Sequence, residues 1–250
     1  MRTDYIRARR ELYAPAARQR SPRRAYDLLR TYIRSDDARG HLDEEALVRS
    51  LGMSRGSVRE AIHMLVAEGL LSRRPKLGTT VVGSISEIAA DQLYTRDSLE
   101  CPAEQLAVER LEHLVVPCPA VVRELLDLGE ERVVLDEWLV SKDGEPRYVR
   151  TQYRRIDPAG PPPRPESPAV LEDVMGRNRG GGRCVMQAVP ADERTGKLLA
   201  IAPGSPVLLR QMLLHDGAGR PAELTFTHYR GDRTALTTRV APDEALVSSA

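Results

Sequence analysis

The chain has 250 residues, 41% of them hydrophobic and 29% charged, which predicts a globular protein with one small and one medium-sized domain. Aromatic residues make up only 4% of the chain, and this scarcity argues against the base-stacking surfaces that bind single-stranded nucleic acid. Residues 1–83 carry 17 Lys and Arg against 10 Asp and Glu, whereas residues 84–250 carry 20 Lys and Arg against 26 Asp and Glu. We therefore expect the basic residues 1–83 to bind a polyanion.

The N-terminal part begins with a basic arm and a first helix. Residues 1–20 carry six arginines against two acidic residues and have little apolar content, so we expect a mobile basic arm. Ser21 and Pro22 suit the cap and the first turn of a helix. Apolar residues at helical spacing continue through Ile33, and the polar run 36–40 then predicts the end of this helix.

A second and a third helix are predicted in close succession. Asp43 can cap the second helix, and Gly52 can end it in a left-handed conformation. After a tight turn, Ser54 can cap the third helix, in which apolar residues recur at the i, i+4, i+7 spacing of one buried face. The residues of this face are Val58, Ile62 and Leu65.

Two short strands are predicted after the third helix. Residues 70–73 and 79–82 have strand-like composition, and a turn that contains Gly78 joins them, so together they form a wing. A helix-turn-helix followed by a wing delivers side chains to a DNA major groove. Residues 21–83 are therefore predicted to form a winged helix-turn-helix domain that binds double-stranded DNA.

The polar face of the third helix and the wing supply the predicted DNA contacts. Arg55 and Arg59 can each make a bidentate contact to guanine, and hydroxyl groups at the helix start can hold phosphates. Basic side chains of the wing can neutralise phosphates, and a glycine there permits close backbone approach. The alternative is an ordinary solvated helix face. The predicted DNA-binding residues are Ser54, Arg55, Gly56, Ser57, Arg59, His63, Arg73, Arg74, Lys76 and Gly78.

The C-terminal part contains a degenerate repeat. Residues 84–118 mix helical patches with prolines, so they are predicted to hold the linker and the start of the second domain. Residues 129–154 and 204–230 each run from a glycine through an apolar segment and an Asp-Gly pair to Tyr-Arg. Because Asp-Gly is a strong hairpin signal, we predict two hairpins in a largely antiparallel sheet. Helices are predicted over residues 119–128, 168–176 and 190–201.

The spacing of the cysteines and the lack of long apolar runs predict the cellular compartment of the protein. The three cysteines, Cys101, Cys118 and Cys184, include no Cys-x-x-Cys pair, and no histidine lies at metal-ligand spacing. This scattered, odd set is typical of a reducing compartment and argues against a disulfide framework or a zinc site. No apolar run approaches the ~18 residues that span a membrane. We therefore expect a cytoplasmic protein without membrane contact, metal or other cofactor.

Several stretches resemble a known family of regulators. The run Leu47-Val-Arg-Ser-Leu-Gly-Met-Ser-Arg-Gly-Ser-Val-Arg-Glu-Ala, then Leu65-Val-Ala-Glu-Gly-Leu-Leu and Gly78-Thr-Thr-Val-Val, resembles the DNA-binding domain of GntR-family regulators. Gly204-Ser-Pro-Val-Leu-Leu and His228-Tyr-Arg-Gly-Asp-Arg233 resemble the UTRA ligand domain of the HutC subfamily.

The resemblance implies a fold and a function. It implies an α+β protein in which residues 119–243 form a UTRA domain for effector binding and dimerisation, with a chorismate-lyase-like fold and a mainly antiparallel sheet. It also implies a homodimer that binds a palindromic DNA operator, usually as a repressor. A small-molecule effector in the UTRA domain would release it.

Two departures from the family pattern narrow these expectations. Glu45 stands where many members have an arginine in a Leu-Pro-Ser-Glu-Arg run, so one DNA contact of those members is missing here. Trp138 and Val140 stand where phosphosugar-responsive relatives carry an Arg-x-Arg pair, which disfavours a phosphorylated sugar as effector.

The family pattern also implies an effector pocket. Arg150 stands where relatives often have an acid, and a cation beside Trp138 predicts an effector with an anionic or carbonyl group and an apolar body. The alternative is that Arg150 pairs with Glu223 on the sheet surface. The implied effector-binding residues are Trp138, Arg150, Tyr153, Ser167, Glu223 and Tyr229.

Two other functions stay open at this point. One is an enzyme, since UTRA domains resemble chorismate lyase, but no paired carboxylates, metal cluster or activated nucleophile can be assembled from the sequence. Residues 52–56 fit the G-x-S-x-G pattern of hydrolases, yet the preceding segment is helical and no catalytic residue is predicted. The other is an architectural DNA binder whose second domain only dimerises. A ligand-dependent operator affinity distinguishes the last possibility from a sensor.

Overall fold

A computed structural model describes residues 21–34, 40–75, 77–89, 106–129, 132–156 and 180–238. Two compact units divide the chain between Ile85 and Ser86. Within the described ranges, no helix is both long and apolar enough to cross a membrane. Several predicted features lie outside the described residues, namely the arm 1–20, the helix 168–176, Lys76 and Ser167.

The first unit consists of three helices and a small antiparallel sheet. The helices are α1 (Pro22–Arg34), α2 (Glu44–Leu51) and α3 (Arg55–Ala67). The strands are β1 (His41–Leu42), β2 (Leu71–Arg74) and β3 (Gly78–Val81), in the order β1-β3-β2. This arrangement confirms the predicted winged helix-turn-helix, with the short strand β1 as an addition.

Local sequence signals set the ends of α2 and α3 as predicted. The Asp43 side chain accepts a hydrogen bond of 2.9 Å from the backbone N–H of Glu45 and so caps α2. Gly52 ends α2 at φ 61°, a left-handed conformation that glycine adopts without steric cost. Ser54 Oγ accepts a bond of 3.2 Å from the N–H of Ser57 and so caps α3.

One apolar core joins the helices to the wing strands. Val58, Ile62 and Leu65 lie on the buried face of α3, and each is at most 1% exposed. Tyr26 of α1 packs in the same core and donates a hydrogen bond of 2.7 Å from its hydroxyl to Glu68 Oε1. Because this apolar stripe of α3 is buried, the charged side chains of α3 remain outside the core.

The second unit is built on a six-stranded antiparallel sheet. Its strands are β5 (Leu106–Pro117), β6 (Arg132–Lys142), β7 (Glu145–Arg154), β8 (Gly182–Pro190), β9 (Pro206–His215) and β10 (Pro221–Arg230). Their order is β5-β6-β7-β10-β9-β8, so the predicted hairpins β6–β7 and β9–β10 lie side by side. A parallel pair adds β4 (Ser86–Ala89) and β11 (Thr234–Thr237). The helices are α4 (Ala120–Leu125) and α5 (Glu193–Leu199).

The helical patches predicted within residues 84–118 are wrong for residues 106–117. These residues form β5, a strand of 12 residues at one edge of the sheet. Its register with β6 shifts between Arg110 and Glu112, which interrupts the alternation of apolar and polar residues and hides the strand signal. Pro117 is the last residue of the strand, and Pro119 is the N-cap of α4.

The two faces of the large sheet differ in character. One face packs against α4 and α5 through apolar side chains, among them Val133, Val149, Val207 and Leu224. Side chains alternate between the faces along each strand, so the intervening positions form a second surface, which we call the polar face. Its buried polar residues are Asp136, Arg150, Gln152, Arg210, Glu223, Thr225 and Thr227.

Candidate DNA-binding surface and effector pocket

The face of α3 opposite the core carries the predicted base-reading residues. The side chains of Arg55 and Arg59 are 70% and 61% exposed, and His63 is also exposed. A Cβ atom at Gly56 would meet only Ser54 Oγ, at 4.0 Å, so the backbone there lies in open space. The structure thus places these α3 side chains on one accessible surface, as a DNA-reading helix requires.

Two glutamates at the start of α2 pair with the arginines of this surface. Arg55 Nη2 lies 3.2 Å from Glu45 Oε1, and Arg59 Nε lies 2.5 Å from Glu44 Oε1. Glu44 Oε2 also lies 3.3 Å from Arg73 Nη2 on the wing. Exposed ion pairs contribute only about 0–1 kcal/mol, so DNA can displace them. Glu45 departs from the family pattern, and its pairing with Arg55 was not predicted from the sequence.

Ser54 and Ser57 have structural roles at the start of α3. The two hydroxyl oxygens lie 2.9 Å apart, and Ser57 is only 4% exposed. Ser54 Oγ also accepts the capping hydrogen bond described above, which uses one of its two lone pairs. Both serines were predicted to hold phosphates, and the structure shows that each of them has a partner within the domain.

The wing places basic side chains beside α3. Arg73 and Arg74 are exposed on β2, and Arg73 Nη1 lies 3.3 Å from His63 Nε2, so the wing and the helix share one surface. Gly78 has φ +81°, and a Cβ atom there would lie 2.1 Å from Cε1 of His41. The fold itself therefore requires glycine at this position, independently of any contact with DNA.

The residues predicted to bind an effector are divided between the two faces of the large sheet. Trp138, Arg150, Glu223 and Tyr229 belong to the polar face, and Trp138 and Arg150 are direct partners across β6 and β7. Tyr153 lies on the opposite face, where its ring packs edge-to-face on Phe226 with centroids 6.4 Å apart. The structure therefore does not bring Tyr153 together with the others.

Arg150 and Glu223 form a buried ion pair. Arg150 Nη2 donates to Glu223 Oε1 at 2.5 Å, and the two side chains are 1% and 5% exposed. The alternative from the sequence was a pair of these two residues on the sheet surface. The two residues do pair, but the pair is buried. A buried pair of this kind is strongly sensitive to loss of either partner, because the remaining charge is left without a counter-ion.

A pocket opens where the polar face meets β4 and β11. It encloses about 650 Å³, including the space at its open mouth. Its lining includes the basic residues Lys142, Arg147, Arg150 and Arg210 together with the rings of Tyr148 and Tyr229. Burial raises the pKa of both tyrosines further above neutrality, and their protonated hydroxyl groups can donate hydrogen bonds.

Sequence reasoning missed Arg147, Tyr148 and Arg210 as pocket residues. A signal for Arg210 was present, because a single arginine interrupts the apolar run of β9 at a position that shares a face with Leu208 and Met212. An arginine at such a position enters the interior unless the strand lies at a surface. The repeat predicts the hairpin but does not by itself show which side chains of β9 share a face.

Comparisons with known proteins agree with both units. Residues 22–81 match the family described as bacterial regulatory proteins, gntR family, and residues 169–235 match the UTRA domain. This protein is a GntR-family transcriptional regulator with a UTRA domain. Both resemblances stated from the sequence are thereby confirmed.

Relatives of this regulator are themselves described as regulators. The HTH-type transcriptional regulator Rv0792c of Mycobacterium tuberculosis is 27% identical over 200 residues, which are 76% of this chain and 73% of that protein. An HTH-type transcriptional regulator in an unstable DNA locus of Streptomyces ambofaciens is 35% identical over 86 residues, 34% of each chain. These relatives favour a regulator over the enzyme alternative.

A solved structure shows the same fold. The crystal structure of PhnF from Mycobacterium smegmatis matches with a TM-score of 0.58 and 19% identity, over 88% of this chain and 99% of that one. The effector domain of the same protein alone matches with a TM-score of 0.54 and 16% identity, over 62% of this chain. The mainly antiparallel UTRA fold predicted from the sequence is confirmed.

Proposed function

We propose that this regulator is a homodimeric repressor of the HutC type, which leaves a palindromic operator when a small molecule enters the pocket of its UTRA unit. The observation that carries the proposal is a buried pocket with unsatisfied polar atoms. The Tyr148 hydroxyl and the Nε atom of Arg210 are buried there, and neither has a hydrogen-bond partner among the described residues. Buried polar groups are rarely left unpaired, so a ligand is their natural partner.

The proposed operator contacts divide into two kinds. Arg55 and Arg59 read guanine edges in the major groove, and they leave Glu45 and Glu44 as they do so. The wing arginines, together with Lys76, neutralise phosphates and contribute affinity without sequence preference. The exposure of the two α3 arginines supports this division.

One observation and one requirement of the proposed operator support a homodimer. The edge strand β5 exposes Leu114 and Val115 at 50% and 45%, and Val121 of α4 is 61% exposed, so apolar surface is available for a second copy. A palindromic operator also needs two recognition helices about one DNA turn apart, roughly 34 Å. Such a protein acts where the chromosome lies, in the cytoplasm.

We infer that the effector acts through the spacing of the two DNA-binding units in the dimer. The pocket belongs to the unit that follows Ile85, whereas the reading arginines belong to the unit that ends there. An effector in the pocket therefore releases DNA without contacting α3. A shift of a few ångströms per unit is enough to misalign two half-sites.

The test is a reciprocal titration. Because coupling between two sites is symmetric, saturating operator must weaken effector binding by the same factor by which effector weakens operator binding. We expect both factors to be about 5–150-fold, the usual range of allosteric coupling. Candidate effectors come from a metabolite screen for release of the full-length protein from its operator, with random DNA as control.

One outcome of that titration would contradict the proposal. A compound that binds the pocket with equal affinity in the presence and absence of operator would show that this UTRA unit is not an allosteric sensor for that compound. If no compound of the screen releases the operator, the result favours an architectural DNA binder whose second domain only dimerises.

A further inference from the structure

We propose that the pocket of the UTRA unit binds a carboxylate against Arg210, so that the effector is an organic acid with one carboxylate and an apolar body. This inference rests on the proposed function, because it names the class of molecule that occupies the same pocket. Arg210 was not among the residues predicted from the sequence to bind an effector.

Arg210 is a buried cation for which the described residues supply no counter-ion. The residue is 5% exposed, and its Nε atom has no hydrogen-bond partner. Throughout the portion of the chain described by the structure, no carboxylate forms an ion pair with its guanidinium group. The guanidinium carbon lies 5.4 Å from the centroid of the Tyr229 ring, which offsets only part of the cost of burial.

Two other arginines of the pocket, unlike Arg210, each have a carboxylate partner. Arg150 and Arg210 flank Thr227 in one row across β7, β10 and β9. Arg150 is neutralised by Glu223, and Arg147 Nη2 lies 3.5 Å from Glu145 Oε2. Glu145 also serves Arg233, whose Nε lies 3.6 Å from the same Oε2, but Arg147 and Arg150 each have a described carboxylate beside them. Arg210 is therefore the pocket arginine that lacks one among the described residues, and a monoanion matches its single charge.

The other charged residues that line the pocket add no net formal charge to that of Arg210. Lys142 and Glu87 both line the pocket, and their formal charges cancel. A planar carboxylate matches the two parallel N–H groups of a guanidinium, whereas a phosphate dianion would bring a second charge that no unpaired pocket arginine balances. The structure thus favours a carboxylate over a phosphate.

The remaining lining of the pocket suits an apolar body. Ile88 and Leu106 pack in one apolar cluster with Tyr148 and Tyr229, whose ring centroids are 5.0 Å apart. The Tyr148 hydroxyl is buried without a partner, so it can donate to a carboxylate oxygen. A ligand with its charge at Arg210 and its chain or ring against this cluster satisfies both kinds of lining.

The test uses thermal unfolding of the full-length protein with matched probes. The probes are hexanoate, benzoate and phenylacetate, the corresponding neutral amides, and inorganic phosphate. At least one acid is expected to raise the Tm in a dose-dependent way, and neither its amide nor phosphate should do so. Arg210→Met should weaken the effect at least about ten-fold, since a charge-assisted hydrogen bond is lost. The control Arg183→Met, on the exposed edge strand β8, should retain it.

Several results would overturn the inference. It fails if no acid of the set raises the Tm, if the amide or phosphate acts as well as the acid, or if Arg210→Met responds like the parent protein. A second measurement needs no ligand. Arg210→Met alone should raise the Tm, because it removes an unbalanced buried charge, and a lowered Tm would show that Arg210 serves the fold instead.

Failure of this inference and failure of the proposed function have different signatures. An uncharged compound that releases the operator would contradict the carboxylate and leave the ligand-responsive repressor intact. An acid that binds through Arg210 without any change in operator affinity would contradict the ligand-responsive repressor and leave the carboxylate site intact.

Discussion

Replacing Arg150 with methionine is expected to lower the free energy of unfolding of the UTRA unit by about 3–5 kcal/mol. The substitution removes the guanidinium group that pairs with the Glu223 carboxylate, whose side chain is only 5% exposed. Urea unfolding followed by tryptophan fluorescence measures the loss. Trp138 is the single tryptophan of the chain, is 2% exposed and pairs directly with Arg150 across β6 and β7, so its emission reports this unit.

A double variant is the matched control for this prediction. Arg150→Met combined with Glu223→Met removes both charges, and an apolar pair of similar volume is often as stable as a buried ion pair. The double variant should therefore be more stable than Arg150→Met alone. A loss below about 1 kcal/mol in the single variant, or additive losses in the double, would show that the pair is not buried as described.

The second large effect is expected in the DNA-binding unit. Leu65→Ala should destabilise it by about 2–5 kcal/mol, because Leu65 of α3 is fully buried in the core that α3 shares with α1 and the wing, and the substitution leaves a cavity there. Urea unfolding followed by far-ultraviolet circular dichroism measures the change. Leu77→Ala is the control, since Leu77 is 66% exposed in the wing turn and should change stability by less than about 0.5 kcal/mol. Equal effects of the two substitutions would contradict this core.

The first unit could be predicted almost completely because its signals are local. Asp43, Gly52 and Ser54 mark helix ends through hydrogen bonds and backbone angles that involve only a few neighbouring residues. The same periodicity that buries Ile62 also exposes Arg59, so the accessible surface follows from the pattern of the core. The ion pairs with Glu44 were not predicted, because they join residues 15 and 29 positions apart.

The large sheet was predicted less completely, for two physical reasons. Its hairpins carry Asp-Gly turns, which are local, but the bulge near Arg110 disrupts the alternation that would have identified β5. The face of a strand residue depends on parity, so a shift by one position moves a side chain to the other side of the sheet. Arg150 and Tyr153 differ by an odd number of positions, and the structure places them on opposite faces.

The most direct test of the central claim, sequence-specific DNA binding by α3, is a comparison of operator and random DNA. The operator is first isolated by genome-wide mapping of bound sites. Anisotropy titrations then compare the parent protein with Arg55→Ala, with Arg59→Ala and with the control Arg183→Ala from the other unit. Each α3 substitution should cost about 1–3 kcal/mol on the operator and much less on random DNA, because contacts with base edges determine specificity. Equal losses on both DNAs, or no enriched site at all, would contradict the account.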